Sequence, residues 1–162
     1  EVGWVRKAIR EMRTILPELV IRTTFIVGFP NETEADFEML REFVEEIEFD
    51  HLGVFTYSPE EGTPADSLGD PVPQEVKEAR RFELMDLQSK ISLRKQSSLI
   101  GNEFDMLVEG SDPAQQVLVG RIWRDAPEVD GLVIAQGLDK GEAFAKVQIT
   151  GVTGPDFYAK IL

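Results

Sequence analysis

Two stretches of this chain share one outline, and that repetition limits the folds open to it. Residues 21–33, IRTTFIVGFPNET, run from an apolar strand (Phe25, Ile26, Val27) into Gly28-Phe29-Pro30-Asn31, and a helix begins behind Thr33. Residues 51–63, HLGVFTYSPEEGT, do the same: a strand over 52–57, a Ser-Pro to Gly-Thr loop, then a long helix. Consecutive helix–strand–loop units give parallel strands joined by right-handed crossovers. In barrels of that design the loops at the carboxyl ends of the strands carry the chemistry. The loops at 28–33 and 57–63 are therefore where function is expected.

The flanking segments complete an α/β pattern. Val5, Ala8, Ile9, Met12 and Leu16 recur at helical spacing, which predicts a helix over 1–17 ending near Pro17. Phe37, Leu40, Val44 and Ile47 predict a second helix over 33–48, with Glu32, Glu34 and Asp36 at its start where the macrodipole favours acid. The stretch 58–73 is rich in Pro and Gly and reads as loop. A long helix is predicted over 74–98, with Leu84, Leu87 and Ile91 on its apolar face and Phe82 and Met85 beside it.

Near residue 100 the period shifts from 3.6 to 2. Short strands are predicted at 104–109, 117–123, 132–135, 143–150 and 157–162, with turns at Gly110-Ser111-Asp112-Pro113, Asp130-Gly131, Gly137, Gly141 and Gly154-Pro155. Five such strands in about sixty residues read as a small antiparallel barrel. The expected organisation is an α/β portion over 1–98 and a five-stranded antiparallel β-barrel over 99–162. Two parallel strands with three helices do not close a sheet, and both leave a hydrogen-bonding edge bare. The missing strands are expected upstream of Glu1, in a larger protein.

Composition removes several chemistries. The chain of 162 residues has no cysteine, so thiolate metal ligation, disulfides and cysteine nucleophiles are excluded within it. With His51 the only histidine, a multi-histidine metal site has no material. The net charge is −13, with 12 basic against 20 acidic groups in 1–97 and 5 against 10 in 98–162. Such a surface repels phosphate backbones and suits a basic protein partner, although high charge also serves solubility.

The segments IRTTFIVGFPNETEADF and VFTYSPEEGTPA together resemble the radical S-adenosylmethionine methylthiotransferases, and the C-terminal barrel resembles the TRAM domain of those enzymes. The block GRIWRDAPEVDG at 120–131, and Glu60 and Glu61 after Tyr-Ser-Pro, resemble the branch that modifies an aspartate of small-subunit ribosomal protein twelve. The transfer-RNA branch typically carries basic residues there. The resemblance implies a cytoplasmic parent enzyme that uses S-adenosylmethionine and two 4Fe-4S clusters. One cluster, held by a CxxxCxxC loop, cleaves the cofactor to a 5′-deoxyadenosyl radical. Without cysteine, this chain ligates neither cluster and is expected to be inactive alone. A transfer-RNA methylthiotransferase and a non-catalytic TRAM-type binding module are the rival readings.

The resemblance also distributes roles. Ile26, Gly28 and Phe29 on the first strand and Phe55 and Tyr57 on the second are expected to contact the cofactor's adenosine. Thr24 stands where the family motif has its first glycine, and Glu32 lies one place from its acidic position. Asn31 replaces an expected glycine and tolerates positive φ better than most residues. The plainer reading makes the Gly28 loop a structural turn, with Phe55 and Tyr57 core residues sharing a strand face. Asp125, Glu128 and Asp130 are expected to form an acidic rim for a basic protein substrate, or a proline-containing turn. Arg22 and His51 sit at the amino ends of their strands and read as structural. Arg121 and Arg124, flanking Trp123, read as a salt-bridged strand face rather than an RNA platform. No catalytic residue and no metal ligand are assigned.

Overall fold

The computed structural model describes residues 2–138 and 140–162, which divide into two compact units, Glu1–Ser92 and Leu93–Leu162.

In the first unit the order is α1 (Val2–Ile15), β1 (Arg22–Val27), α2 (Glu34–Ile47), β2 (His51–Thr56) and α3, which begins at Gln74 and runs to Ser97. The strands pair in parallel, from Arg22↔His51 to Val27↔Thr56, as the repeated outline predicts. Thr33 caps α2: its hydroxyl accepts from the Asp36 N–H while the Asp36 carboxylate accepts from the Thr33 N–H. This reciprocal pair satisfies two of the orphan donors of a helix start. At the other end Arg13 of α1 donates to the Glu48 carbonyl (3.0 Å), placing a cation where the dipole of α2 is negative.

Helices cover one face of this two-stranded sheet. Phe25 and Val27 of β1 and Leu52 and Val54 of β2 pack with Ile9, Phe37, Val44, Ile47, Leu84 and Ile91. Phe25, Phe43 and Phe49 meet edge to face with centroids 5.8–6.3 Å apart. Gln88 of α3 donates to the Phe49 carbonyl (2.8 Å), and Asp50 accepts from the Ile21 N–H (2.9 Å), so the loop entering β2 is pinned from two sides. Phe82 departs from the sequence reading. It lies on the outer side of α3 and is 73% exposed, because the buried stripe runs through 77, 80, 84, 88 and 91 instead.

In the second unit β3 (Glu103–Asp112), β4 (Val117–Arg121), β5 (Val133–Gln136), β6 (Phe144–Thr153) and β7 (Asp156–Ile161) close into a barrel of order β3-β4-β5-β7-β6. Five strands were expected, but an all-antiparallel barrel was not attainable. Directions cannot alternate around a ring of five, so one neighbouring pair must be parallel, and here it is β5 with β7. Alternation sends Met106, Leu118, Val133, Ala135, Val147, Ile149, Phe157 and Ala159 into the barrel, with Ile122 beyond the end of β4. The expected turn at 110–113 is displaced. A bulge between Val108 and Gly110 lets β3 run on to Asp112, whose carboxylate then accepts from the N–H groups of Ala114 and Gln115.

Candidate functional site

The predicted cofactor residues lie at the carboxyl ends of β1 and β2, on two different surfaces. Ile26 and Phe55 are register partners. Both point to the sheet face that the helices leave bare, and they are 57% and 63% exposed. Two exposed apolar side chains on strands about 4.8 Å apart form a small apolar ledge. Phe55 and Tyr57 do not share a face, because β2 ends at Thr56 and Tyr57 turns under the loop.

Tyr57 is buried. Its N–H donates to the Val27 carbonyl (2.8 Å) and its hydroxyl to the Ala65 carbonyl (3.1 Å). Phe29 packs edge to face on the Tyr57 ring at 5.2 Å and stays partly exposed. Gly28 and Asn31 both have left-handed backbone, φ 75° and 73°. The Gly28 N–H donates to Glu32 Oε1 (3.0 Å), so this amide is already satisfied by the chain itself.

Three residues that the sequence reading did not single out hold these loops: Asp70, Lys77 and Arg80. Lys77 of α3 is fully buried, and its ammonium donates to the Tyr57 carbonyl (2.8 Å) and to the Asp70 carboxylate. The same ammonium lies 5.5 Å from the Tyr57 ring centroid. Arg80, one turn on, donates to Glu32 Oε1 (2.6 Å) and Glu34 (3.0 Å) and stacks over Phe37. Glu32 therefore bridges the Gly28 amide to Arg80. The signal was helical spacing: 77, 80, 84, 88 and 91 form one stripe, and three of its members are polar.

In the second unit, Asp125, Glu128 and Asp130 lie together in the loop between β4 and β5. Asp130 accepts from the Ala126 N–H (2.7 Å), and its own N–H donates to the Ala126 carbonyl (3.2 Å), closing the turn. Glu128 is exposed, with φ 62°. Asp125 is largely withdrawn from solvent. Burial pushes its carboxyl up to about 6, with Arg124 opposing and the Asp130 charge adding to the rise. Arg121 pairs with Glu109 at 2.9 Å, the strand-face salt bridge expected of it, while Trp123 is exposed.

A raised folded-state pKa means that Asp125 holds its proton more tightly in the folded chain than in the unfolded one. The stability it contributes is present below pH ~4 and is lost as pH rises through about 6. Asp125→Asn is expected to raise stability at pH 7.5 by about 1 kcal/mol after solvent screening, and to have no effect below pH ~4. Urea unfolding followed by Trp123 fluorescence in a Trp4→Phe background checks this.

Residues 100–162 match the TRAM domain family. The chain as a whole is similar to methylthiotransferases, in keeping with the motifs at 21–37 and 54–65. The relatives are ribosomal protein uS12 methylthiotransferases named RimO. That of Thermosynechococcus vestitus is 48% identical over 161 residues, covering 99% of this chain and 36% of the relative. That of Aromatoleum aromaticum is 50% identical over 161 residues, covering 98% and 36%. That of Thermus thermophilus is 49% identical over 130 residues, covering 80% and 30%. The chain thus spans about a third of the length of these curated relatives.

Proposed function

We propose that this chain is the C-terminal part of a cytoplasmic, RimO-like methylthiotransferase that modifies an aspartate of ribosomal protein uS12. Residues 1–98 would complete a radical S-adenosylmethionine (β/α) barrel, and 99–162 would be its TRAM domain. Identity of 48–50% sustained over nearly the whole chain carries this reading. Two features of the first unit support it. Among the described residues β1 and β2 pair only with each other. Beside β1, between α1 and α2, lies a groove of about 630 Å³ lined by Val5, Ile9, Ile21, Phe25, Leu40 and Phe43, the kind of apolar surface that a continuing barrel covers. No helix among the described residues is long and apolar enough to cross a membrane.

The residues present fit part of an adenosine site. The Ile26–Phe55 ledge offers apolar contact to a flat base, and Phe29 adds an aromatic edge steadied by Tyr57. Gly28, buried under the Lys77 stem with its amide bonded to Glu32, shapes the turn rather than meeting a ligand. S-adenosylmethionine, when bound, supplies the radical and methyl chemistry of methylthio transfer. The iron–sulfur clusters do not fit here. The chain has no cysteine, and no group of three or more His, Asp or Glu among the described residues could hold a metal ion. The part of this chain is to seat the adenosine and to attract substrate.

The acidic rim serves the second task. Asp125, Glu128 and Asp130 on an acidic unit attract a basic ribosomal protein over long range. Reversing all three to lysine is expected to weaken uS12 association roughly tenfold at low salt and to flatten its salt dependence. Binding titrations of the full-length protein with uS12 and with transfer RNA provide the check. Unchanged uS12 affinity rejects the rim, and tight binding of transfer RNA without uS12 rejects the assigned substrate.

A further inference from the structure

We infer that Lys77 is a positioning residue: from α3 it locks the Gly28 turn and the Tyr57 loop into one geometry, and so fixes the surface offered to an adenosine-bearing ligand. The inference rests on the reading of Ile26, Phe29 and Phe55 as that surface.

Three contacts of a single buried side chain converge on the strand ends. The ammonium donates to the main-chain carbonyl of Tyr57, the first residue after β2. It also pairs with Asp70, at the far end of the loop that follows β2. The alkyl stem fills the space above Gly28: a Cβ built on Gly28 would lie 2.4 Å from Lys77 Cγ and 3.0 Å from Cδ. The turn after β1 is therefore packed against the same side chain that ties down the loop after β2. Phe29 follows directly, because its ring leans on Tyr57.

Nothing about plain core packing asks for a cation here. A buried ammonium is costly to desolvate, and a methionine of similar length would fill the same volume. What the ammonium adds is direction: hydrogen bonds that fix the carbonyl of Tyr57 and the carboxylate of Asp70 relative to Gly28. Arg80 acts beside it on Glu32, whose carboxylate holds the Gly28 amide, so α3 grips the turn after β1 at both Gly28 and Glu32. Lys77 is buried and does not itself touch the ligand. It acts through Tyr57 and Phe29.

Lys77→Met in the full-length protein tests this, because methionine keeps most of the stem and removes the charge. The probes are 5′-deoxyadenosine and S-adenosylmethionine in equilibrium binding, with backbone amide resonances of the 162-residue chain as a structural readout. The substitution is expected to weaken both ligands roughly tenfold, the effect on a preorganised site of losing the ammonium's hydrogen bonds to Tyr57 and Asp70, and to shift the amides of Phe29 and Tyr57. Ile47→Val, a core substitution away from the loops, lowers stability but leaves both affinities unchanged, which separates positioning from a general loss of stability. If Lys77→Met does not fold, Asp70→Asn carries the test, with an expected weakening of roughly threefold for both ligands. Unchanged affinity and unmoved amides in a variant whose parent binds both ligands overturn the role of Lys77 alone. A parent that binds neither ligand overturns the adenosine reading, and this inference with it.

Discussion

Gly120→Val is expected to abolish the folded barrel of the second unit. Gly120 is an inward position of β4, paired with Val108 on β3 and with Val133 on β5. A Cβ there would lie 2.0 Å from the Leu107 carbonyl oxygen, 3.0 Å from its carbon and 3.1 Å from Met106 Cγ. The first two are backbone atoms, so no rotamer change relieves the contact. The β3 chain would have to withdraw where it is already bent by the bulge between Val108 and Gly110. Because β3 also pairs with β6, its withdrawal opens the ring on both sides. A clash of this kind costs more than about 4 kcal/mol, comparable to the whole stability of a barrel this small. Amide exchange is the direct measurement. Protection at Met106, Leu118 and Val133 should disappear, and a melting transition within about 2 °C of the parent would show that the barrel can yield at this point.

The legible part of this protein was the part governed by period. Alternation and helical spacing located the parallel pair, the three helices and the five barrel strands, because each buries a patterned apolar face. The first limit was topological. No local pattern reveals that β5 runs beside β7 rather than beside a sequence neighbour, although the odd strand count already required one parallel pair. The second limit was local turn chemistry. Gly110-Ser111-Asp112-Pro113 has a turn's composition, yet the bulge at Glu109 lets Gly110 pair with Val119 within the strand, and Asp112 makes its turn after the strand instead of within it. The third limit concerned the site itself. Ile26, Gly28, Phe29, Phe55 and Tyr57 were picked out by motif, but the side chains that hold them are charged. A search for apolar stripes passes over Lys77 and Arg80 because buried cations are rare. Both occupy stripe positions of α3 beside Leu84, and Arg80 faces an acid, Glu32, that lies 48 residues away. Pairings over such a separation become visible only once the chain is folded.

That separation leads to a second prediction, that Gly28 and Lys77 are energetically coupled. Gly28→Ala meets two independent penalties. At φ 75° any residue with a Cβ pays for the left-handed conformation, about 1 kcal/mol for alanine. The new methyl also lies 2.4 Å from Lys77 Cγ, part of a buried stem with nowhere to go. Moving Lys77 aside relieves the contact only by giving up its hydrogen bonds to Tyr57 and Asp70. The single substitution should therefore cost roughly 3 kcal/mol or more. Lys77→Ala alone is also destabilising, since it leaves the Tyr57 carbonyl without its donor and opens a cavity above Gly28. Combined with Gly28→Ala, however, it removes the atoms that clash. The double variant should then be more stable than the sum of the two losses predicts by at least about 1 kcal/mol, with the left-handed strain, a 3.3 Å contact to the Lys77 Cβ position and the lost donor to Tyr57 persisting. A double-mutant cycle by urea unfolding measures this coupling. Strict additivity would mean that the turn after β1 and the side chain above it yield independently, and α3 would then not set the geometry of the strand ends.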